Sequence, residues 1–371
     1  MIRYSLIMPT FNSAAWLPQV LGSLGPLGSD WEIIVVDDCS QDATVTLLQQ
    51  YAEFVSANSG QVVWSSPANS KPTTRGPRSG TTCTVRVLAR RERGGQAVAR
   101  NEAVSLASGE LLAFVDSDVA VEADTLSSMV KFLEDRPDLD GVFGSYSCFG
   151  YADEMPLSRF RNLLHRYVHQ QSRGPVGSFW TGLGAIRRSS FIKSGGFDPR
   201  LTGIEDVELG KRITDQGGKF WLEPAFEGRH LKRWGLLSMV KTDLLVRAIP
   251  WTFYGWLGLT PTRGLNLSTV RALPPLFLAL AFFLLPFWPE LARTGLLAYL
   301  ALNLPYYRYF SATAGYPMGI RSLAYLAIHH ACCLLGWALG TLKYAHHLLS
   351  GQDQRCLTVS KEKPPPCPLE S

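Results

Sequence analysis

Hydrophobic residues in the first third of the chain come in short unbroken blocks. "YSLIMPTF" from Tyr4 and "WEIIVVDD" from Trp31 run aliphatic and β-branched residues together without alternation, the pattern of strands covered on both faces. Helix-length stretches follow each of them, from Ala14 to Leu24 and through "DATVTLLQQYAEFV" (42–55). Strand and helix in turn predict an α/β fold with a parallel sheet. The pattern lapses over residues 57–82, which are rich in Ser, Thr, Pro and Gly and predict a flexible surface insertion. It resumes with "CTVRVLAR" as a third strand, "GGQAVARNEAVSLAS" as a helix entered through glycines, and "GELLAFVDSDV" as a fourth strand. A helix through "EADTLSSMVKFLEDRP", a strand at "LDGVFGSYSCFG" and a basic helix between Tyr151 and Arg173 come next.

Beyond residue 230 the periodicity changes character. "ALPPLFLALAFFLLPFW" (272–288), "LLAYLALNLPYYRYF" (296–310) and "SLAYLAIHHACCLLGWALGTL" (322–342) approach the roughly 20 apolar residues that span a bilayer, and predict two or three transmembrane helices within 269–349. The stretch 231–268 mixes Lys232, Arg233, Lys241 and Arg247 with Trp234, Trp251 and Trp256, as a helix lying among lipid headgroups does. Residues 350–371 are polar and proline-rich, which predicts a disordered tail. The expected division is therefore a domain over 1–230, an interfacial segment, membrane helices and a tail.

Composition sharpens this picture. The 371 residues are 46% hydrophobic and 18% charged with a formal charge of +5, so the chain can bury a sizeable core while concentrating apolar residues near its C-terminus. Its seven cysteines include no C-x-x-C pair, which argues against a zinc site or a disulfide framework and for a reducing compartment. "SLIMPT" near the start reads as a buried strand rather than a signal peptide. The expected location is a cell (inner) membrane, multi-pass, with the first domain in the cytoplasm; no nucleic-acid partner is expected.

In "FVDSDV" an apolar strand ends in Asp116 and Asp118, two carboxylates whose proximity is costly unless a cation sits nearby. In open parallel sheets ligands bind beyond the carboxyl ends of the strands, where Pro9 to Asn12, Asp37 and Asp38, and Asp116 to Asp118 all fall. Four segments in this order, "IMPTFN", "VVDDCSQDAT", "GGQAVARNEAVSLASGELLAFVDSDV" and "GGFDPRLTGIEDVELGKRI", resemble the inverting, nucleotide-sugar-dependent family 2 glycosyltransferases of the GT-A fold.

That resemblance implies a Rossmann-like mixed sheet followed by membrane helices, and a set of roles. Pro9, Thr10 and Asn12 would line the nucleotide pocket and Asp37 or Asp38 would bind base or ribose, with helix capping as the other reading of the aspartates. Asp118 would ligate Mg²⁺ or Mn²⁺, Asp116 would hold the ribose or share the metal, and His230 would complete the shell or be an ordinary surface residue. Arg93 and Arg100, beside Gly94 and Gly95 at a helix start, would contact diphosphate or ribose. Asp206, with Glu205 beside it, would be the base that takes the acceptor's proton; Glu205, Asp206 and Glu208 also suit the acidic first turn of a helix. Lys232, Arg233 and Trp234 would face acceptor or headgroup. The implied partners are a nucleotide-sugar donor, a lipid or lipid-linked acceptor and a membrane. The alternatives are a polyprenyl-phosphate glycosyltransferase and a polysaccharide synthase, against which His230 in place of a Q-x-x-R-W glutamine counts.

Overall fold

The computed structural model describes residues 1–25, 27–57, 62–65, 83–148, 155–261, 265 and 269–350. They fall into two compact units, one from Met1–Ser145 with Arg173–Leu231, the other from Tyr146–Ser172 with the described residues from Lys232 to Ser350. The helix Pro156–Gln170, placed in the first domain on sequence, belongs to the second unit.

The first unit is built on ten strands: β1 (Tyr4–Thr10), β2 (Trp31–Asp37), β3 (Val62–Ser65), β4 (Thr84–Ala89), β5 (Leu111–Val115), β6 (Val119–Val121), β7 (Gly141–Tyr146), β8 (Gly174–Val176), β9 (Leu183–Arg187) and β10 (Phe220–His230). Their order is β3-β4-β2-β1-β5-β9-β7-β10-β6, with β8 on β10. From β3 to β5 every pair is parallel; β9 then pairs antiparallel with both β5 and β7, so the sheet is mixed. The unbroken apolar blocks of β1 and β2 are fully buried, as the pattern requires. Strand β3 lies inside the stretch read as an insertion: "VVWS" is too short and too closely flanked by polar residues to register as periodic, yet it pairs with β4 from Val62↔Val85 to Ser65↔Leu88. The rest of 58–82 lies outside the described residues.

Register sets the site. Thr10 is level with Asp37 and Asp37 with Ala89, so β1, β2 and β4 end on one line. Behind that edge Phe114 packs its ring against Phe179, Phe191 and Phe197 at 6.1, 6.0 and 5.6 Å. This aromatic cluster keeps the end of β5 fixed.

The second unit is helical. The 34-residue helix Tyr316–Leu349, about 51 Å long, packs beside Leu236–Lys241, a π-helical turn Thr242–Ala248 and Ile249–Trp256. These run parallel to it. A Cβ on Gly336 would lie 2.2 Å from Ala248 Cβ, one on Gly340 would lie 2.7 Å from Thr252 Cβ, and Trp256 Nε1 donates to Thr341 Oγ1 at 3.0 Å. Glycines four apart allow the two backbones to approach closely. Phe160, Phe310, Trp234, Met239 and Leu326 form the core at the other end.

The expected bundle of spans needs correction. Among the described residues Tyr316–Leu349 is the one helix long and apolar enough to cross a membrane. The run 272–288 lies largely in a 16-residue helix, and the run 296–310 is broken at Asn303 into helices of 14 and 11 residues. At 1.5 Å per residue these reach only about 24, 21 and 17 Å, short of a hydrocarbon core of about 30 Å. A multi-pass arrangement is therefore not supported. Residues 351–371, read as a disordered tail, lie outside the described residues.

Candidate active site

The loops after β1 and β2 are tied into one piece. Asn12 and Cys39 adopt left-handed backbone angles, φ 49° and 66°, which turn the chain sharply at both strand ends. The Asn12 N–H donates to Ser40 Oγ at 2.8 Å, and its Oδ1 accepts from the Gln41 N–H at 2.9 Å. Buried Asp37 accepts from Thr10 Oγ1 at 3.0 Å and from the Ser40 N–H at 2.9 Å. Asp38 accepts from the N–H groups of Gly94 and Gly95, both at 2.8 Å, and from Arg90. It thereby holds the glycine turn that opens the helix Gln96–Ser105. At the start of the helix after β2, Asp42 rather than either of these aspartates accepts from the Thr44 N–H, at 3.0 Å. Pro9 is buried in β1, and exposed Arg93 stands 3.9 Å over the ring of Phe11, a cation–π contact on the same edge.

Beside these loops the paired aspartates occupy a turn, not an extended strand: β5 ends at Val115, and the Val119 N–H donates to Asp116 O at 3.0 Å. Between them Ser117 Oγ meets Ser13 Oγ at 2.7 Å. Asp116 accepts from Arg100 Nη2 at 2.8 Å, while Arg100 Nη1 donates to Glu205 Oε1 at 3.0 Å. Arg100 is fully buried; its terminal nitrogens join the aspartate turn to the first residue of the helix Glu205–Asp215. Loss of water and the charge of Asp118 push the Asp116 carboxyl up, with Arg100 opposing.

Strand β10 brings the histidine in. Its last residue pairs with the first of β6, His230↔Val119, and the Leu231 N–H donates to Asp118 O at 2.8 Å. His230 Nε2 thus lies 3.5 Å from Asp118 Oδ2. That separation is long for a hydrogen bond, and it suits two donors that each stand about 2 Å from one ion. Among the described residues no group of three or more His, Cys, Asp or Glu gathers to hold a metal. One carboxylate and one imidazole fit a cation that completes its shell with water and substrate phosphate.

Asp206 is half-buried and accepts at Oδ2 from the Thr181 N–H at 3.3 Å and Thr181 Oγ1 at 3.4 Å, and at Oδ1 from the Val207 N–H at 2.8 Å. Burial first, and then the Glu205 charge, push its carboxyl from 3.8 up to about 6 against the pull of Arg100 and the two N–H groups. Such a carboxylate is ionised at neutral pH and unusually willing to take a proton. Glu205 Oε2, buried next to it, has no hydrogen-bond partner among the described residues.

Sequence reasoning missed the residues that hold this set together. Thr181 comes from the turn before β9, and Asn101 clasps the backbone of Phe197 through Nδ2 to O at 2.8 Å and N to Oδ1 at 2.9 Å. Both motifs were visible as sequence, but nothing in their spacing shows that they touch. Lys232, Arg233 and Trp234 belong to the helical unit. There buried Trp234 carries Lys232 Nζ at 4.5 Å and Arg161 at 5.1 Å from its ring, and Arg233 is exposed.

The profile described as Glycosyl transferase family 2 matches residues 5–74 and 77–195. The chain is similar to the poly(ribitol-phosphate) beta-N-acetylglucosaminyltransferase TarS of Staphylococcus aureus, 28% identical over 139 residues, 37% of this chain and 20% of that protein. It is also similar to the putative teichuronic acid biosynthesis glycosyltransferase TuaG of Bacillus subtilis, 29% identical over 161 residues, 42% of this chain and 51% of that one. The chain thus spans between a fifth and about half the length of these two curated relatives. The fold is similar to that of the mannosyltransferase PcManGT from Pyrobaculum calidifontis, solved with GDP-Man and Mn²⁺: TM-score 0.53, 20% identity, 92% of this chain and 87% of that one.

Proposed function

Since the chain belongs to the family 2 glycosyl transferases, we propose that it transfers a sugar from a nucleoside-diphosphate sugar, with inversion, to a hydroxyl of a lipid or lipid-linked acceptor at the cytoplasmic face of a membrane. The observation that carries this reading is Asp206, a carboxylate pushed up to about 6 beside Glu205, which Arg100 ties to the Asp116 turn. A base of that strength takes the acceptor hydroxyl's proton as its oxygen attacks the anomeric carbon, while the bond from that carbon to the diphosphate oxygen breaks. Thr181 aims Asp206.

On the donor side Pro9, Thr10, Asn12, Asp37 and Asp38 form the rigid floor for base and ribose, with Arg93 and Asp116 toward the ribose and diphosphate. Asp118 and His230 would hold Mg²⁺ or Mn²⁺, which when bound stabilises the departing diphosphate as a Lewis acid. Lys232 and Arg233 serve acceptor or headgroup, while Trp234, expected there from the sequence, is instead buried beneath Lys232. A lipid acceptor is favoured by the exposed apolar side chains of the helical unit, among them Phe282, Phe283, Phe287 and Trp288.

The test is incubation of membranes containing the protein with a panel of labelled nucleotide-sugars and Mg²⁺ or Mn²⁺, followed by lipid extraction. Label in a glycoside that resists mild acid supports the hydroxyl acceptor. Label in a lipid cleaved by mild acid selects a polyprenyl phosphate instead, for which the basic Lys232, Arg233 and Arg247 would hold the acceptor's phosphate. Absence of label in any lipid, with free sugar released, refutes the acceptor class.

A further inference from the structure

The turn ahead of β9 carries a large aromatic side chain to which neither the base nor the donor floor gives a role. Asp116 donates its N–H to Gly182 O at 3.3 Å, and the next residue, Leu183, opens β9 opposite Val115. Thr181 donates to Asp206 through both its N–H and its Oγ1. The two residues Thr181 and Gly182 are thus tethered to Asp116 at one end and to Asp206 at the other. Trp180 folds back over them: a Cβ on Gly182 would lie 2.4, 2.5 and 2.7 Å from Cζ2, Cε2 and Nε1 of the indole. The ring rests where a side chain would otherwise stand, a close approach that glycine permits. The backbone beneath it is held firmly. Phe179 is fully buried, its ring packed against Phe143 and Phe220 at 6.3 and 5.2 Å, and a Cβ on Gly210 of the helix Glu205–Asp215 would lie 2.2 Å from Phe179 N. Phe179 fills the core, while Trp180 beside it stays half-buried; Trp31 and Trp234, by contrast, are each only 4% exposed.

We propose that the Trp180 indole is the platform on which the ring of the transferred sugar stacks, and that this sugar is a hexopyranose presenting a face of C–H groups. The inference rests on the donor and base roles proposed above for Asp116 and Asp206. In a single displacement the transferred ring lies between the diphosphate that leaves and the base that takes the acceptor's proton. The turn that joins Asp116 to Asp206 is the one Trp180 covers. A hexopyranose turns C–H bonds to one face and carries its hydroxyls around the rim. An indole face is apolar and bears partial negative charge, so it meets polarised C–H groups favourably and leaves the rim hydroxyls for hydrogen-bonding groups and water. Such a contact orients the ring without competing for its hydroxyls. Because the same turn holds Asp206, a sugar seated on the indole has its anomeric carbon in a fixed relation to the base. The bare nucleoside diphosphate has no ring to place there.

The full chain in lipid nanodiscs is titrated calorimetrically, with Mn²⁺ present, with UDP-glucose, UDP-N-acetylglucosamine and GDP-mannose, and with UDP and GDP alone. Trp180→Leu keeps apolar bulk but removes the π face; it should weaken the nucleotide-sugar at least about tenfold and shift the matching nucleoside diphosphate by less than about twofold. Gly182→Ala, which displaces the ring without removing it, should reproduce that selective loss, and Trp180→Tyr should stay within about threefold of the parent. A crystal structure of the unaltered chain with its tightest-binding nucleotide-sugar should place the sugar's C–H face about 4 Å from the indole, a result that stands even where a variant fails to fold. Equal losses for nucleotide-sugar and nucleoside diphosphate, unchanged nucleotide-sugar affinity in Trp180→Leu, or a sugar ring bound away from the indole overturns the proposal. Unchanged affinity with slower transfer would put Trp180 at the acceptor and overturns it equally. Failure of every nucleotide-sugar to bind the unaltered chain overturns the donor reading and the platform with it, whereas donor binding indifferent to Trp180 overturns the platform alone.

Discussion

Replacing Asp206 by Asn removes one charge from a pair of adjacent carboxylates and leaves an oxygen for Thr181. The displacement of Asp206 from 3.8 to about 6 corresponds to roughly 3 kcal/mol at about 1.4 kcal/mol per unit. Because the folded protein holds this proton more tightly than the unfolded chain, the group's contribution to stability is fully present below about pH 4. It is lost as pH rises through about 6. Asp206→Asn should therefore unfold up to about 3 kcal/mol less readily at pH 7 and show no gain near pH 4. For a chain of this size that is a rise of several degrees in melting temperature. The same variant should lose about 10²- to 10⁴-fold in kcat/KM, the contribution of a positioned base, with the donor's KM little changed. In the parent enzyme the rate should fall about tenfold per unit below pH 6, because at pH 5 only about a tenth of the group is ionised. Thermal melts at both pH values, combined with nucleoside-diphosphate release, test all of this. A variant that keeps its rate, or gains nothing at pH 7 over pH 4, refutes the reasoning.

Asp118→Asn and His230→Ala should each raise the Mn²⁺ concentration for half-maximal rate by at least about tenfold, roughly 1.4 kcal/mol of lost coordination; an unchanged titration removes both from the cation site. Arg100→Met strands Glu205 and Asp116 without their cation and should cost about 3–5 kcal/mol in denaturant unfolding, whereas a neutral outcome would show that the pair is dispensable. Gly336→Leu drives a side chain into Ala248 and should lower the melting temperature of the helical unit by the equivalent of at least about 1–3 kcal/mol, without altering donor binding.

The strands of the first unit were legible because buried strands are written as unbroken aliphatic runs; β1 and β2 begin and end within a residue or so of their blocks. Helix starts were less so, since Ser13 and Ala14 serve loop ties to Thr44 and Asp42 before the helix proper begins at Leu17. Short β3 was lost among polar neighbours, and helix length was misjudged where Asn303 breaks an apolar run that looks continuous on the page. The site's acidic members were visible as motifs, but their partners were not. Arg100 reads as a diphosphate contact from its place at a helix start, and only the fold shows both arms on carboxylates. Thr181 reaches Asp206 from 25 residues away, and the pairing of β10 with β6 that brings His230 to Asp118 spans a still longer separation. Contacts of that kind depend on strand order, which no local pattern records.

Arg100 has one further consequence. A single guanidinium serves two clients, Asp116 on the proposed donor side and Glu205 beside the proposed base Asp206. Whatever draws Asp116 away leaves more positive charge for Glu205, and the neighbouring Asp206 then becomes a poorer proton sink; whatever returns Asp116 restores it. On the proposed reading, the basicity of Asp206 is thus geared to what holds Asp116, and donor binding and proton removal in the single displacement share one lever.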